Sequence, residues 1–240
     1  SAAGARDRGR DRRPWGAEEE GVSDLEIELG GRALVLCPER AAFRPDEGEL
    51  LLADVHIGKA AAFRRAGRPM PPGTTRRELE RIDALVSRLG ARRVTLLGDL
   101  FHDEIEPESP TARTFGAWLA AQRQVEVTLV RGNHDRHAAE LIDRLDLVSV
   151  AEPVTSGDLV YRHHPGGEGP FVAGHVHPGV RLVDRADSAR LPVFWARAEG
   201  VVLPAFGQFT GLQIIPVAPT DRLFAVTPTA VLEVPPALCR

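Results

Sequence analysis

The chain has 240 residues, a hydrophobic fraction of 43% and a formal net charge of −4. No apolar run approaches the roughly 18–20 residues needed to cross a bilayer, and no apolar N-terminal leader is present, so a soluble cytoplasmic protein is expected. The two cysteines, Cys37 and Cys239, are too few for a disulfide framework and lack the spacing of a metal site.

Residues 1–21 carry Arg6, Arg8, Arg10, Arg12 and Arg13, then Glu18, Glu19 and Glu20, without an apolar period. A disordered, charge-segregated tail is expected there, followed by one domain over 22–240. Leu25, Ile27 and Leu29 alternate with acids, and Gly30-Gly31 separates them from an apolar run over 33–36, which predicts a hairpin. A third strand over 50–53 would deliver Asp54 and His56. Residues 58–73 have no period, several prolines and a basic cluster, and are expected to form a loop.

Residues 74–89 predict a helix, with Thr75 and Glu78 as a capping box, Leu79, Ile82, Leu85, Val86 and Leu89 as one stripe, and Gly90 as the stop. A strand over 94–97 runs into Gly98-Asp99. Ser109-Pro110 begins a second helix whose inner face is Phe115, Trp118 and Leu119. A strand over 125–130 then delivers Gly132-Asn133-His134-Asp135. After residue 147 the pattern becomes short strands: 159–162, 171–173, 180–183, 193–195, 201–203, 212–215, 223–226 and 231–234. Strands alternating with helices, with polar residues at the strands' carboxyl ends, indicate an α/β fold. The two halves are expected to pack sheet against sheet with helices outside.

The polar strand ends supply Asp54, His56, Asp99, Asn133, His163 or His164, His175 and His177. Oxygen and imidazole donors without thiolate suit Mn²⁺, Fe or Zn²⁺ in a reactive site more than a structural zinc. In Asp54-x-His56 and His175-x-His177, residues two apart in extended chain point the same way. There are more donors than one ion needs, and Asp99 is the carboxylate placed to bridge two. Two divalent cations would also offset the net charge of −4, so that charge does not argue against a nucleic-acid substrate.

Asp-x-His, Gly-Asp, Gly-Asn-His-Asp, His-x-Pro and Gly-His-x-His, in this order, resemble the five motifs of the binuclear, calcineurin-like metallophosphoesterases. The segments DVHIGK, GDLFH, GNHD, GHVHP, LPVFW and LPAFGQFTG resemble one branch, the ligase-associated DNA damage response endonucleases. The resemblance implies a four-layer α/β/β/α sandwich of two mixed sheets flanked by helices. It implies that Asp54, His56, Asp99 and His177 hold one metal and that Asp99, Asn133, His163 and His175 hold the other, His163 being preferred over His164 because it precedes x-Pro. It implies His134 as general acid and two divalent ions, Mn²⁺ first, with DNA as substrate, single-stranded DNA foremost, and repair helicases and ligases as partners. The Arg-rich tail is not part of the family pattern.

Phosphodiester hydrolysis needs these groups. Two ions about 3.5–4 Å apart neutralise phosphate oxygens and hold a hydroxide between them, and imidazole protonates the leaving alkoxide. His102 is a further candidate for contact with the phosphate or leaving group. Lys59, Arg64, Arg65 and Arg68 could meet DNA phosphates or form only a solvated loop, and Arg131 and Arg136 likewise. Phe206 and Phe209 could stack on bases, but core packing is the plainer reading, as it is for Trp118 and Trp195. Singly, each motif is an ordinary turn. A small-molecule phosphodiesterase or phosphomonoesterase, or a non-catalytic scaffold of the same fold, are the alternatives to an endonuclease.

Overall fold

The computed structural model describes residues 22–183 and 188–239, and the expected tail over 1–21 lies outside them. Two mixed sheets pack face to face. The first contains β1 (Leu25–Leu29), β2 (Arg32–Cys37), β3 (Ala41–Arg44), β4 (Glu49–Leu52), β5 (Arg93–Leu97), β6 (Glu126–Val130) and β7 (Val148–Val150) in that spatial order. β1 to β4 are antiparallel, and β4, β5, β6 and β7 are parallel. The second sheet contains β8 (Val154–Ser156), β9 (Leu159–Tyr161), β10 (Phe171–Ala173), β11 (Pro178–Val183), β12 (Ser188–Ala196), β13 (Gly200–Val202), β14 (Gln213–Ile214), β15 (Arg222–Val226) and β16 (Val231–Val234). Within it β9, β10 and β13 are parallel neighbours.

Period-two alternation divides the core. Leu34, Leu36, Ala42, Leu51, Leu97 and Val130 face the second sheet, where they meet Leu159, Tyr161, Val172, Phe194, Val201 and Phe224. Their neighbours Val35, Phe43, Leu50, Leu52, Val94, Leu96 and Leu129 face outward, against helices. Each such side chain contributes about 1.5–3 kcal/mol when fully buried. The helices α2 (Thr74–Leu89), α3 (Pro110–Ala121) and α4 (Ala139–Arg144) supply Leu79, Ile82, Leu85, Phe115, Trp118, Leu141 and Ile142 to that outer cluster. Beyond the second sheet, Ile215, Val217 and Cys239 pack on Val180, Val193 and Leu223.

One polar network crosses the sheet interface at the ends of the strands remote from the motifs. The Tyr161 hydroxyl and Thr95 Oγ1 each donate to the Glu49 carboxylate at 2.6 Å, and Arg44 donates to the Tyr161 oxygen at 2.7 Å. Arg44 is fully buried and also reaches Ser156 in β8.

Several expectations change. Residues 58–73 are not all loop: α1 (Lys59–Arg65) follows Gly58 directly. Its three alanines are strong helix formers, but seven residues are too short to display a period. The capping box is absent. The N-cap of α2 is Gly73 in the left-handed conformation, without a side-chain cap, while Glu78 is buried and its Oε1 accepts the Gln208 N–H at 3.4 Å. Ser109 does cap α3, accepting from the Ala112 N–H at 3.2 Å, and Gly90 ends α2 at φ 63°. Strands β3, β7 and β8, of three or four residues each, carry too little pattern to be anticipated.

Burial raises the Glu78 carboxyl from 4.5 to about 7. The folded protein therefore retains a proton there that the unfolded chain releases across that window. The stability contributed by Glu78 is fully present below about pH 4.5 and is lost as pH rises through about 7. Urea unfolding near pH 5 and near pH 8 is expected to show this fall in the unaltered protein and a flatter response in Glu78→Gln.

Candidate metal centre

Each sheet sends three adjacent parallel strands to the same place. From the first, β4 leads to Asp54 and His56, β5 to Asp99, and β6 to Asn133 and His134. From the second, β9 leads to His163 and β10 to His175 and His177. β13 leads to the segment 203–207 that backs the site: the Phe206 and Gly207 N–H groups donate to the Ala53 and Asp54 carbonyls at 2.8 and 3.2 Å.

The turns that carry these side chains are unusual. Asp54, His56, Asp99, His175 and His177 all have positive φ, between 50° and 71°. Residues with a Cβ enter this region at a cost of about 1–2 kcal/mol. Main-chain bonds hold them there: the Asp54 N–H donates to the Gly98 carbonyl at 3.1 Å, and the His56 N–H to the Asp99 carbonyl at 2.9 Å. The motif glycines leave room for the donors. A Cβ on Gly98 would lie 2.2 Å from His163 Nδ1, and one on Gly132 would lie 2.5 Å from Asp99 Oδ1.

The donors gather in two groups. In the first, Asp54 Oδ1 and His177 Nε2 are 3.3 Å apart, His56 Nε2 and His177 Nε2 are 3.3 Å apart, and Asp99 Oδ2 is 3.9 Å from His56 Nε2. In the second, Asn133 Oδ1 and His175 Nδ1 each lie 3.0 Å from His163 Nε2, and Asp99 Oδ1 lies 3.4 Å from it. Asp99 thus turns one oxygen to each group. All seven expected donors converge, and two of the groups that could hold a cation are Asp54–His56–His177 and Asp54–Asp99–His163.

Charge and orientation fit divalent cations. Asp54 is fully buried, and its Oδ1 has no hydrogen-bond donor. The paired imidazole nitrogens turn lone pairs toward one another unless a proton or cation lies between. Burial, reinforced by the Lys59 charge, pushes His56 down to about 2, which keeps it in the neutral, ligand-competent form. His175 is lowered by burial and by its histidine neighbours. His163 Nδ1 must donate to the Leu97 carbonyl, 3.1 Å away, leaving Nε2 free to accept a cation, the usual orientation of a ligating histidine.

The choice between His163 and His164 falls to geometry. His163 is buried with Nε2 among the donors. His164 is exposed, with Nδ1 2.6 Å from Glu152 Oε1, and Glu152 Oε2 also accepts the N–H groups of both histidines at 2.7 and 2.9 Å. Glu152 is a positioning residue that sequence reasoning missed, because it lies eleven residues before His163 with no motif around it.

His134 donates Nδ1–H to the His102 carbonyl at 2.6 Å, and its own N–H donates to Asp99 Oδ1 at 2.9 Å. Its Nε2 is 4.0 Å from Asp99 Oδ2, so it faces the site. The His102 ring stacks on His134 with 5.6 Å between centroids, and burial lowers it to about 4. Asp135 forms a loop bond: its carboxylate accepts from the Gly132 and Phe101 N–H groups at 2.8 and 3.2 Å. Phe206 is core, beneath the Arg81 guanidinium at 4.0 Å. Trp118 Nε1 donates to Asp83 and Trp195 Nε1 to Asp221, as structural aromatics do. Arg64, Arg65, Arg68, Arg131 and Arg136 are exposed, and Lys59 is half-buried. None of the helices among the described residues is long and apolar enough to cross a membrane.

This strand-end arrangement of carboxylates and imidazoles is that of a phosphoesterase. The chain belongs to the calcineurin-like phosphoesterase family, whose sequence profile matches residues 50–200. It is also similar to the nuclease MPE of Pseudomonas putida, with 34% identity and a TM-score of 0.76, over 88% of this chain and 100% of that one. YfcE, a phosphoesterase from E. coli, is matched at 17% identity and a TM-score of 0.41, over 78% of this chain and 97% of that one. No curated protein gives a significant match. The likeness to a nuclease agrees with the branch that the sequence segments resemble.

Gly98→Ala places a methyl group against His163 at a residue with φ 80°. Affinity for Mn²⁺ measured by calorimetry is expected to fall about 10- to 100-fold, the loss typical of disturbing a ligand's support, with the far-ultraviolet circular dichroism of the folded protein retained.

Proposed function

We propose that the chain is a metal-dependent phosphodiesterase that acts as a DNA endonuclease in bacterial DNA repair. The observation that carries this reading is Asp99, whose two oxygens face separate donor groups at 3.4 and 3.9 Å. Seven donors in two groups around one shared carboxylate suit a pair of divalent ions. Bound there, such ions would supply Lewis acidity toward phosphate oxygens and toward water. Their ligands would be Asp54, His56, Asp99 and His177 on one side and Asp99, Asn133, His163 and His175 on the other. Mn²⁺ is the favoured metal, because hard oxygen donors accompany imidazole and thiolate is absent from the site.

The chain's own groups do the rest. His134, with Nδ1 fixed on the His102 carbonyl, holds Nε2 toward the site, where a proton on it reaches the leaving oxygen. That carbonyl can only accept, so it fixes the orientation of the ring and the tautomer with hydrogen on Nδ1. His102 supports His134 through its main chain and its stacked ring, and its own side chain is a second candidate for substrate contact. Single-stranded DNA is the favoured substrate, with repair helicases and ligases as partners in the cytoplasm. The support is the likeness to a nuclease together with the exposed arginines on and after α1. A small-molecule phosphodiesterase or phosphomonoesterase is the reading that this must beat.

With Mn²⁺, the protein is expected to linearise circular single-stranded DNA, to hydrolyse an aryl diester, and to act weakly on an aryl monoester. Asp99→Asn is expected to lose at least about 10²–10³-fold on every substrate. Cleavage of esters with intact DNA circles would overturn the nuclease reading.

A general acid matters in proportion to the basicity of its leaving group. His134→Ala is therefore expected to lose about 10²–10⁴-fold on DNA, whose alkoxide needs a proton, but far less on bis(4-nitrophenyl) phosphate, whose phenolate does not. Equal losses on both substrates would remove His134 from that role, and unchanged turnover in His102→Ala would remove the His102 side chain from the mechanism.

A further inference from the structure

Helix α1 and residues 103–111 form the walls of a groove of about 670 Å³, within the roughly 300–1,000 Å³ that small-ligand sites occupy. The walls meet at Gly58. A Cβ there would lie 2.7 Å from Ile105 Cδ1 and 3.6 Å from Thr111 Cγ2, so bare backbone is what lets them approach. Ala61, Ala62 and Ile105 give the lining an apolar part. The groove begins where the metal centre ends. Gly58 lies two residues past His56, and Asp103 directly follows His102, whose ring centroid is 5.4 Å from that of His56. A strand with one phosphate at the metal centre would bring its next nucleotide to this groove.

The two walls carry opposite charges. Arg64 and Arg65 line the groove from α1, and Glu104 and Glu106 line it from the other side, all four exposed. Among the described residues neither arginine is ion-paired with these carboxylates. Arg64 spends one Nη–H on the Pro71 carbonyl at 2.9 Å, and Arg65 spends none. The other acids of that wall are accounted for within the chain: Asp103 Oδ1 accepts the Glu104 N–H at 2.9 Å, and Glu108 precedes the Ser109 cap of α3, where a negative charge complements the helix dipole. Glu104 and Glu106 have no such role. A ligand made of phosphates alone would be repelled by the two glutamates, and a simple cation by the two arginines. A nucleotide satisfies both walls, with a phosphate for the guanidinium groups and N–H groups of a base edge for the carboxylates.

We propose that this groove binds the nucleotide next to the scissile phosphate, with Arg64 and Arg65 on its outer phosphate and Glu104 and Glu106 on its base, and that it selects guanine. The assignment rests on the nuclease reading of the site. Guanine presents N1–H and N2–H side by side, which match the two oxygens of one carboxylate. Thymine presents a single N–H between two carbonyls, which a carboxylate repels. Adenine and cytosine each set one amino group beside a ring-nitrogen acceptor and fall between. This edge is open only in an unpaired base, in keeping with a single-stranded substrate. The plainer alternative is a pair of solvated glutamates.

The test uses the full chain loaded with Mn²⁺ and end-labelled single-stranded oligothymidylates that carry one guanine. Cleavage at a bond beside the guanine is expected to be about tenfold faster than at bonds between thymines. The double variant Glu104→Gln/Glu106→Gln is expected to bring this ratio toward one, and Arg64→Gln/Arg65→Gln to slow cleavage at every bond while keeping the ratio. Because both rates come from one sample, the ratio is indifferent to any loss of folded protein or of metal. Calorimetry with deoxyguanosine and thymidine 5′-monophosphates is expected to show the same order of affinity, with the difference lost in Glu104→Gln/Glu106→Gln. The proposal is overturned if the unaltered protein treats guanine and thymine alike, or if the glutamine variant keeps the preference. Should the unaltered protein cleave no DNA yet distinguish the two mononucleotides through these glutamates, the nuclease reading falls and the base site stands.

Discussion

Asp54 and Asp99 are buried carboxylates with too few donors around them, and the arrangement of the site follows from that imbalance. Asp54 accepts one main-chain N–H, from His175 to Oδ2, and nothing at Oδ1. A buried carboxylate left uncompensated costs several kcal/mol. Imidazole nitrogens held 3.0 and 3.3 Å from one another can be joined only by a proton on one of them or by a cation. Cations between these groups would give the carboxylate and imidazole lone pairs a shared partner. Folding therefore builds a site that is poor for the empty protein and good for the loaded one.

Holding that arrangement requires rigidity elsewhere. Left-handed backbone at Asp54, His56, Asp99, His175 and His177 persists only where its surroundings over-determine it. The parallel strands do this by ending in register: Leu52 pairs with Leu96, Leu97 with Val130, and Ala173 with Val202. Arg81 contributes from α2, donating to the Phe206 carbonyl at 3.0 Å and to the Glu39 carbonyl at 2.9 Å, and so fixing the segment that bonds to the Asp54 carbonyl.

The donors were legible in the sequence because each sits within four residues of an apolar strand, and their order along the chain is specific. The α2 and α3 helices were legible through their stripes and the Gly90 and Ser109 signals. The short elements were not: α1 spans two turns, and β3, β7 and β8 are too brief to show a period. Contacts that join distant residues were also hidden. Nothing near Glu152 marks it as the partner of two histidines, and no local pattern shows that the His102 carbonyl holds the His134 ring. Thr75 and Glu78 have capping-box spacing, but burial of Glu78 beside the 207–210 turn overrode it.

The two sheets are joined by polar contacts at both ends, and the two fastenings differ in kind. At one end Arg44, Tyr161 and Glu49 are joined by hydrogen bonds within the chain. At the other, the His163 Nδ1–H donates to the Leu97 carbonyl and the His175 N–H to Asp54 Oδ2, and the remaining donors of both sheets face one another where cations would join them. The sandwich thus resembles a peg with a permanent hinge and an ionic clasp. Ion concentration would set how firmly the clasped end stays shut, coupling the unfolding free energy to metal supply. Depletion of metal would loosen the mouth of the site before it loosened the rest of the molecule.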